Sequence, residues 1–176
     1  MTTTEMTTTD QISSTGVYAL AKDEGTHLEF LNVLATIKAT AAEGGSMTAV
    51  EFDQPRGFGP PLHCHRDEDE IFVLLDGTVT LRSGDREIEA EAGGFVFLPH
   101  GIPHTFQVTS ETARMLSITA SASGTPVFDQ MVSELGTPAE GPVIPEPRDI
   151  DPGHVATVND KYGIDILGPP PAPLAD

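Results

Sequence analysis

From Leu28 to Ala120, glycine, Asp-Gly or proline cuts the apolar runs while they are still short, and this punctuation constrains the fold more than anything else in the chain. Leu28–Ala39 and Ser46–Asp53 flank Gly44-Gly45, and Glu70–Leu75 meets Thr78–Arg82 through Asp76-Gly77. Ser83-Gly84-Asp85 turns into Arg86–Glu91, and Phe95–Leu98, His104–Thr109 and Ala113–Ala120 complete the series. Two-residue turns of this kind join antiparallel strands. In Arg86–Glu91, Glu87, Glu89 and Glu91 alternate with Ile88 and Ala90, the period of a half-solvated strand. The pattern predicts an all-β fold, an antiparallel sandwich or barrel rather than an α/β sheet.

Around this body, residues 17–123, lie two segments of different composition. Residues 1–16 are rich in Thr and Ser with almost nothing to bury, so a disordered tail is expected. Residues 124–176 hold a large share of the 15 prolines and form a helical, proline-rich extension expected to pack back onto the barrel. In it, Val127, Phe128, Met131, Val132 and Leu135 fall at helical spacing before Gly136. Asp151-Pro152 reads as the cap and first turn of a second helix running to about Tyr162 and ended by Gly163.

The chain has 9 Lys+Arg against 27 Asp+Glu in 176 residues, a net charge of -18. That excludes a nucleic-acid partner, which needs a basic face, and an anionic membrane surface, which attracts basic segments. No run approaches the ~18–20 apolar residues of a membrane span. The start lacks the basic and apolar regions of a secretory leader. With Cys64 the only cysteine, nothing points to an oxidising compartment, and a cytoplasmic protein is expected.

Four of the six histidines lie between positions 63 and 104. His63 and His65, two apart on a strand, point to one face, where a single metal ion meets both imidazoles. Glu70 follows where an acidic run enters the apolar strand Ile71–Leu75, and His104 follows the rigid turn Pro99-His100-Gly101-Ile102-Pro103. Three imidazoles and a carboxylate suit first-row divalent metals and leave coordination positions for water or substrate, as in a catalytic rather than a closed structural site.

The segment from Gly57 through His63, His65 and Glu70 to Gly77 resembles the first motif of the cupin superfamily, G-x5-H-x-H-x4-E-x6-G. Gly93, Pro99, Gly101 and His104 are similar to the second, G-x5-P-x-G-x2-H, whose usual final Asn is Val108 here. The resemblance implies a jelly-roll barrel with a metal held by His63, His65, Glu70 and His104. The phrases around Gly57–His65, Glu68–Phe72 and Tyr162–Pro170 further resemble bacterial single-cupin quercetin 2,3-dioxygenases. That likeness implies cleavage of a flavonol by O2 with release of carbon monoxide and a depside. It also makes Ni the first choice of metal, with Co, Mn, Fe, Cu and Zn open.

Glu70, beside the metal-bound substrate oxygen, is the expected general base. Phe72, Leu74, Phe106 and Val108 share the ligands' strand parity and are expected to line the substrate pocket. Cys64 points to the opposite face and is expected to be buried filler. Asp67, Glu68 and Asp69 are expected in solvent, and His100 at the surface or behind the ligands. Ile71, Val73 and Leu75 face away from the pocket yet are apolar, so the C-terminal helices or a second subunit must cover them; a homodimer is expected. Two other functions fit the same residues. One is a metal-dependent lyase, isomerase or cyclase that does not use O2, and the other a non-catalytic metabolite binder.

Overall fold

The computed structural model describes residues 16–43 and 45–174, so the expected tail up to residue 15 and Gly44 of the Gly44-Gly45 turn lie outside the described residues. The strands are β1 (Thr26–Phe30), β2 (Val33–Ala39), β3 (Met47–Pro55), β4 (His63–His65), β5 (Glu68–Asp76), β6 (Thr78–Ser83), β7 (Arg86–Glu91) and β8 (Phe95–Leu98). They continue with β9 (Thr105–Val108), β10 (Thr112–Ser121), β11 (Thr137–Pro138) and β12 (Ile164–Ile166), with helices α1 (Phe128–Leu135) and α2 (Pro152–Lys161) set among the last three. One sheet has the order β11-β1-β2-β3-β10-β5-β8, a second β7-β6-β9, and a third β12-β4. Every pairing is antiparallel. The result is an open jelly-roll sandwich with two short C-terminal helices, the fold class the sequence predicts.

The alternation in β5 shows why. Glu68, Glu70, Phe72 and Leu74 are buried while Asp69, Ile71 and Val73 are half-exposed, so one face of the strand belongs to the interior. Gly77 allows the following turn: its φ is 77°, and a Cβ there would sit 2.3 Å from the Thr112 carbonyl oxygen.

Leu28–Ala39 is a hairpin rather than one run. Leu31 (φ 48°) and Asn32 (φ 68°) turn the chain between β1 and β2, both in the left-handed region of a two-residue turn. Asn32 offsets the strain by exchanging two 3.0 Å hydrogen bonds with the Arg148 backbone. In β7, Ala90 is buried as its alternation predicts, whereas Ile88 is exposed.

The core has two halves. Leu28, Phe30, Val33, Val50 and Phe52 of β1–β3 pack against Phe128, Met131 and Val132 of α1 and Val158 of α2. Phe72, Leu74, Met115, Leu81, Phe106 and Val108 fill the space between the two larger sheets. Asp151 caps α2, its carboxylate accepting from the Gly153 (2.9 Å) and His154 (3.3 Å) N–H groups. The helices therefore cover the inner face of β1–β3 and not the outer side of β5. There Phe95 and Phe97 of β8 are exposed and flank the half-exposed Val73 and Ile71, whose other neighbours are Leu116 and Ile118.

Leu74 is 1% exposed in the second core half. Leu74→Ala should lower unfolding stability by about 2–5 kcal/mol, measured by denaturant titration.

Candidate metal centre

β4 is too short to hold its two histidines unaided, and backbone bonds pin it on both sides. β12 pairs with it in the register Ile164↔His65 and Ile166↔His63. On the other side the His63 N–H donates to the His104 carbonyl (3.0 Å), and the His104 N–H donates back (2.9 Å). The Gly101 N–H donates to the His65 carbonyl at 2.7 Å, drawing in the turn that delivers His104. Gly101, with φ 76°, makes that turn possible. Arg66, next in the chain, binds Asp165 of β12 through Nε (3.0 Å) and also pairs with Asp160 of α2.

His63, His65, Glu70 and His104 consequently lie together, each offering one ligand atom within 4.8 Å of the others. Glu70 and His65 are 3% exposed and His104 1%. The Glu70 Oε2 lies 3.3 Å from His104 Nε2 and 3.4 Å from His65 Nε2, while its Oε1 accepts from the Ser117 hydroxyl at 2.6 Å. Burial, and then the neighbouring His104 and His65, push His63 down to about 3. Burial also lowers His65. Burial would lower His104 as well, but its contact with Glu70 outweighs this and the net shift is upward. For Glu70, burial works against ionisation, yet the three imidazoles prevail and hold the carboxyl at about 2.

These residues fit a divalent metal. The Nδ1 atoms of His63 and His104 lie 2.9 and 3.0 Å from the Pro61 and Ile102 carbonyl oxygens. An Nδ1–H donated to each carbonyl leaves the Nε2 lone pair facing the cluster. His65 Nε2 is buried without a hydrogen-bond partner among the described residues, as an imidazole ligand is before its metal binds.

Above the cluster lies a cavity of about 80 Å³. Phe72 and Phe106 line it with His63 and Glu70, as their parity predicts. Leu74 and Val108 do not; they sit deeper in the second core half, since parity assigns a face but not a depth along the strand. Much of the remaining wall comes from β1–β3 (Phe30, Val33, Phe52, Gln54) and from the C-terminal elements (Phe128, Met131, Val155, Asn159, Ile164, Ile166). Ser117 and Gln54 escaped the sequence reading, although each is a polar residue at an inward position of a strand, and that was the available signal.

Two neighbours differ from expectation, and a third, His100, lies at the surface as expected. Glu68 is buried, not solvated, and accepts from the Val127 N–H (2.6 Å) at the start of α1. Cys64 is half-buried and outside the cluster, its thiol pushed up by burial. His100 is exposed and holds Asp69 through its ring (2.7 Å) and its backbone N–H (2.8 Å).

Comparison with known proteins gives the same setting. Residues 50–119 match the cupin domain family (Cupin_2), a span that includes all four cluster residues. A 103-residue stretch, 58% of this chain, is 29% identical to quercetin 2,3-dioxygenase of Bacillus subtilis (strain 168). It spans 31% of that protein, so the chain covers about a third of the curated relative's length. Among solved structures, a predicted oxalate decarboxylase from Thermotoga maritima superposes with a TM-score of 0.53 at 18% identity, covering 58% of this chain and 99% of its own. That likeness concerns the fold alone. Among the described residues, no helix is long and apolar enough to cross a membrane.

Two measurements check the centre. Purified protein loaded with Ni or Co should hold one ion per chain by elemental analysis, and His104→Ala should weaken retention at least 10-fold. Metal-free protein should lose stability as pH falls from 6.5 toward 3, because unfolded His63 takes up a proton that the folded chain refuses. Below pH 4.5 Glu70 adds to the loss, its folded carboxyl staying charged to about 2. His104, shifted the other way, gives stability below pH 6.5 that is lost as pH rises. Urea midpoints at pH 7.5, 5.5 and 4.5 should fall in that order, less steeply in His63→Gln.

Proposed function

With a cupin domain at residues 50–119 as the premise, we propose that the chain is a metal-dependent dioxygenase that opens a flavonol-like substrate with O2, releasing carbon monoxide and a depside. The observation that carries this reading is the three-histidine, one-glutamate cluster beneath an aromatic-walled cavity. The distant quercetin dioxygenase relative supports it. His63, His65, Glu70 and His104 would hold a divalent ion, with Ni the first to test, which would supply Lewis-acid activation of a substrate oxygen.

The protein residues divide the remaining work. Ser117 occupies Glu70 Oε1, so Oε2 is the oxygen that faces the histidines and the substrate. The three imidazoles hold Glu70 ionised, so its Oε2 is ready to accept a proton from a substrate hydroxyl such as the enolic hydroxyl of a flavonol. Phe72, Phe106 and Phe128 keep water from the resulting electron-rich enolate while O2 reacts.

One observation favours a second reading. At about 80 Å³ the cavity is well below the ~300 Å³ where drug-sized sites begin. A flavonol enters only if the cavity widens. A compact enol-carbonyl metabolite needs less movement and would suit a lyase, isomerase or cyclase that does not use O2.

Metal-loaded protein should bleach quercetin with one O2 consumed and one carbon monoxide released per turnover. Turnover that persists without O2 would favour the second reading, and no loss of flavonol absorbance with any metal would remove the first. Glu70→Gln should cut kcat at least 100-fold.

The uncovered outer face of β5 and β8 extends the proposal to assembly. Phe97, Ile71 and Ile118 form one cross-strand row, and Phe95, Val73 and Leu116 the next. On a chain of net charge -18, an uncharged patch is where a second copy can approach with least repulsion, so the proposed unit is a homodimer through this face. Light scattering should give a dimer for the wild type and a monomer for F95D/F97D. A monomeric wild type would overturn the assignment.

A further inference from the structure

Gln54 sits inside the sandwich, 1% exposed, on the inward face of β3 and in the wall of the cavity that His63 and Glu70 also line. Its Nε2 and its Oε1 are both buried without a hydrogen-bond partner among the described residues. A fully buried carboxamide with neither half satisfied is destabilising, and folded proteins rarely keep one unless a ligand or an ordered water completes it. Two other buried carboxamides are engaged: the Gln107 amide donates to the Ala172 carbonyl (2.8 Å), and the Asn159 amide to the Val155 carbonyl (2.8 Å).

The strand register says what kind of ligand reaches Gln54. Gln54 faces Ala113 of β10, whereas Glu70 bonds Ser117, four residues further along the same strand. At ~3.3 Å per residue the two backbone positions are roughly 13 Å apart. Between them the inward positions are apolar, with Met115 of β10 paired to Phe52 of β3. The cavity thus has a metal-facing polar end, an aromatic middle and one unsatisfied amide at the far end.

We propose that Gln54 is a specificity-determining residue whose carboxamide binds a second polar group of the substrate, a hydroxyl or carbonyl remote from the oxygen that faces the cluster. The substrate class is an aromatic compound polar at both ends. The assignment rests on the proposed metal-dependent reading of the site, and two experimental arms keep their failures apart.

The first arm uses no ligand. Gln54→Met keeps the length of the side chain and removes only the unsatisfied amide, so it should melt at or above the wild-type temperature. A fall of more than about 3 °C would make Gln54 a structural partner and overturn the proposal. The second arm compares quercetin with 3-hydroxyflavone, which keeps the hydroxyl beside the carbonyl but lacks the outer hydroxyls. In metal-loaded protein, Gln54→Met should raise Kd and KM for quercetin about 10-fold or more, with kcat little changed. It should move 3-hydroxyflavone by less than twofold. Equal effects on the two compounds, or none on either, would overturn the assignment. If neither binds the loaded wild type, the flavonol reading fails, and the melting comparison alone decides on Gln54.

Discussion

The rest of this structure depends on one buried carboxylate. Glu70 is ionised in an interior where an isolated charge of its kind costs several kcal/mol, and it is tolerable only because of what surrounds it. The Ser117 hydroxyl satisfies one oxygen, and two imidazoles approach the other. Contact with Glu70 raises the proton affinity of His104 against the effect of burial. A divalent cation held by the same residues would balance the carboxylate more fully. Protons and a cation would compete for the same nitrogens, which makes metal uptake proton-linked.

Holding the imidazoles is a separate problem from neutralising the glutamate. Two of the three come from β4, a strand of three residues, and its geometry is imposed from outside. The bridge to His104 fixes one side and β12 the other. Arg66 fastens β12 and the end of α2 to the same place, linking residues nearly a hundred positions apart. The C-terminal extension is thus part of the cluster's framework, although none of its described residues belongs to the cluster.

What the sequence made legible follows from which constraints are local. The cluster residues were readable because an i, i+2 pair on a strand and a glycine- and proline-defined turn fix where side chains point before any tertiary contact forms. The hairpin at Leu31-Asn32 was not, because its left-handed turn lacks glycine and leans on Arg148, more than a hundred residues away. Glu68 looked solvated within an acidic run, but the strand begins two residues before Glu70 and turns Glu68 inward to meet α1. Leu74 and Val108 had the right parity and the wrong depth. Depth depends on how the sheets are staggered, which no single strand encodes.

The same distinction separates chemistry from substrate choice. Residues 50–119, the span that matches the cupin domain family, contain all four cluster residues and Ser117. Much of the cavity wall lies outside that span: Phe30, Leu31 and Val33 precede it, and Phe128, Met131, Val155, Asn159, Ile164 and Ile166 follow it. A family likeness over the shared span therefore bears on what the centre can bind and polarise, and far less on what the cavity admits. Gln54, inside the span yet carrying an amide that nothing in the fold requires, marks where the two meet. The framework keeps the cluster in place, and the Gln54 amide, buried without a partner among the described residues, is a polar group in the shared part of the wall.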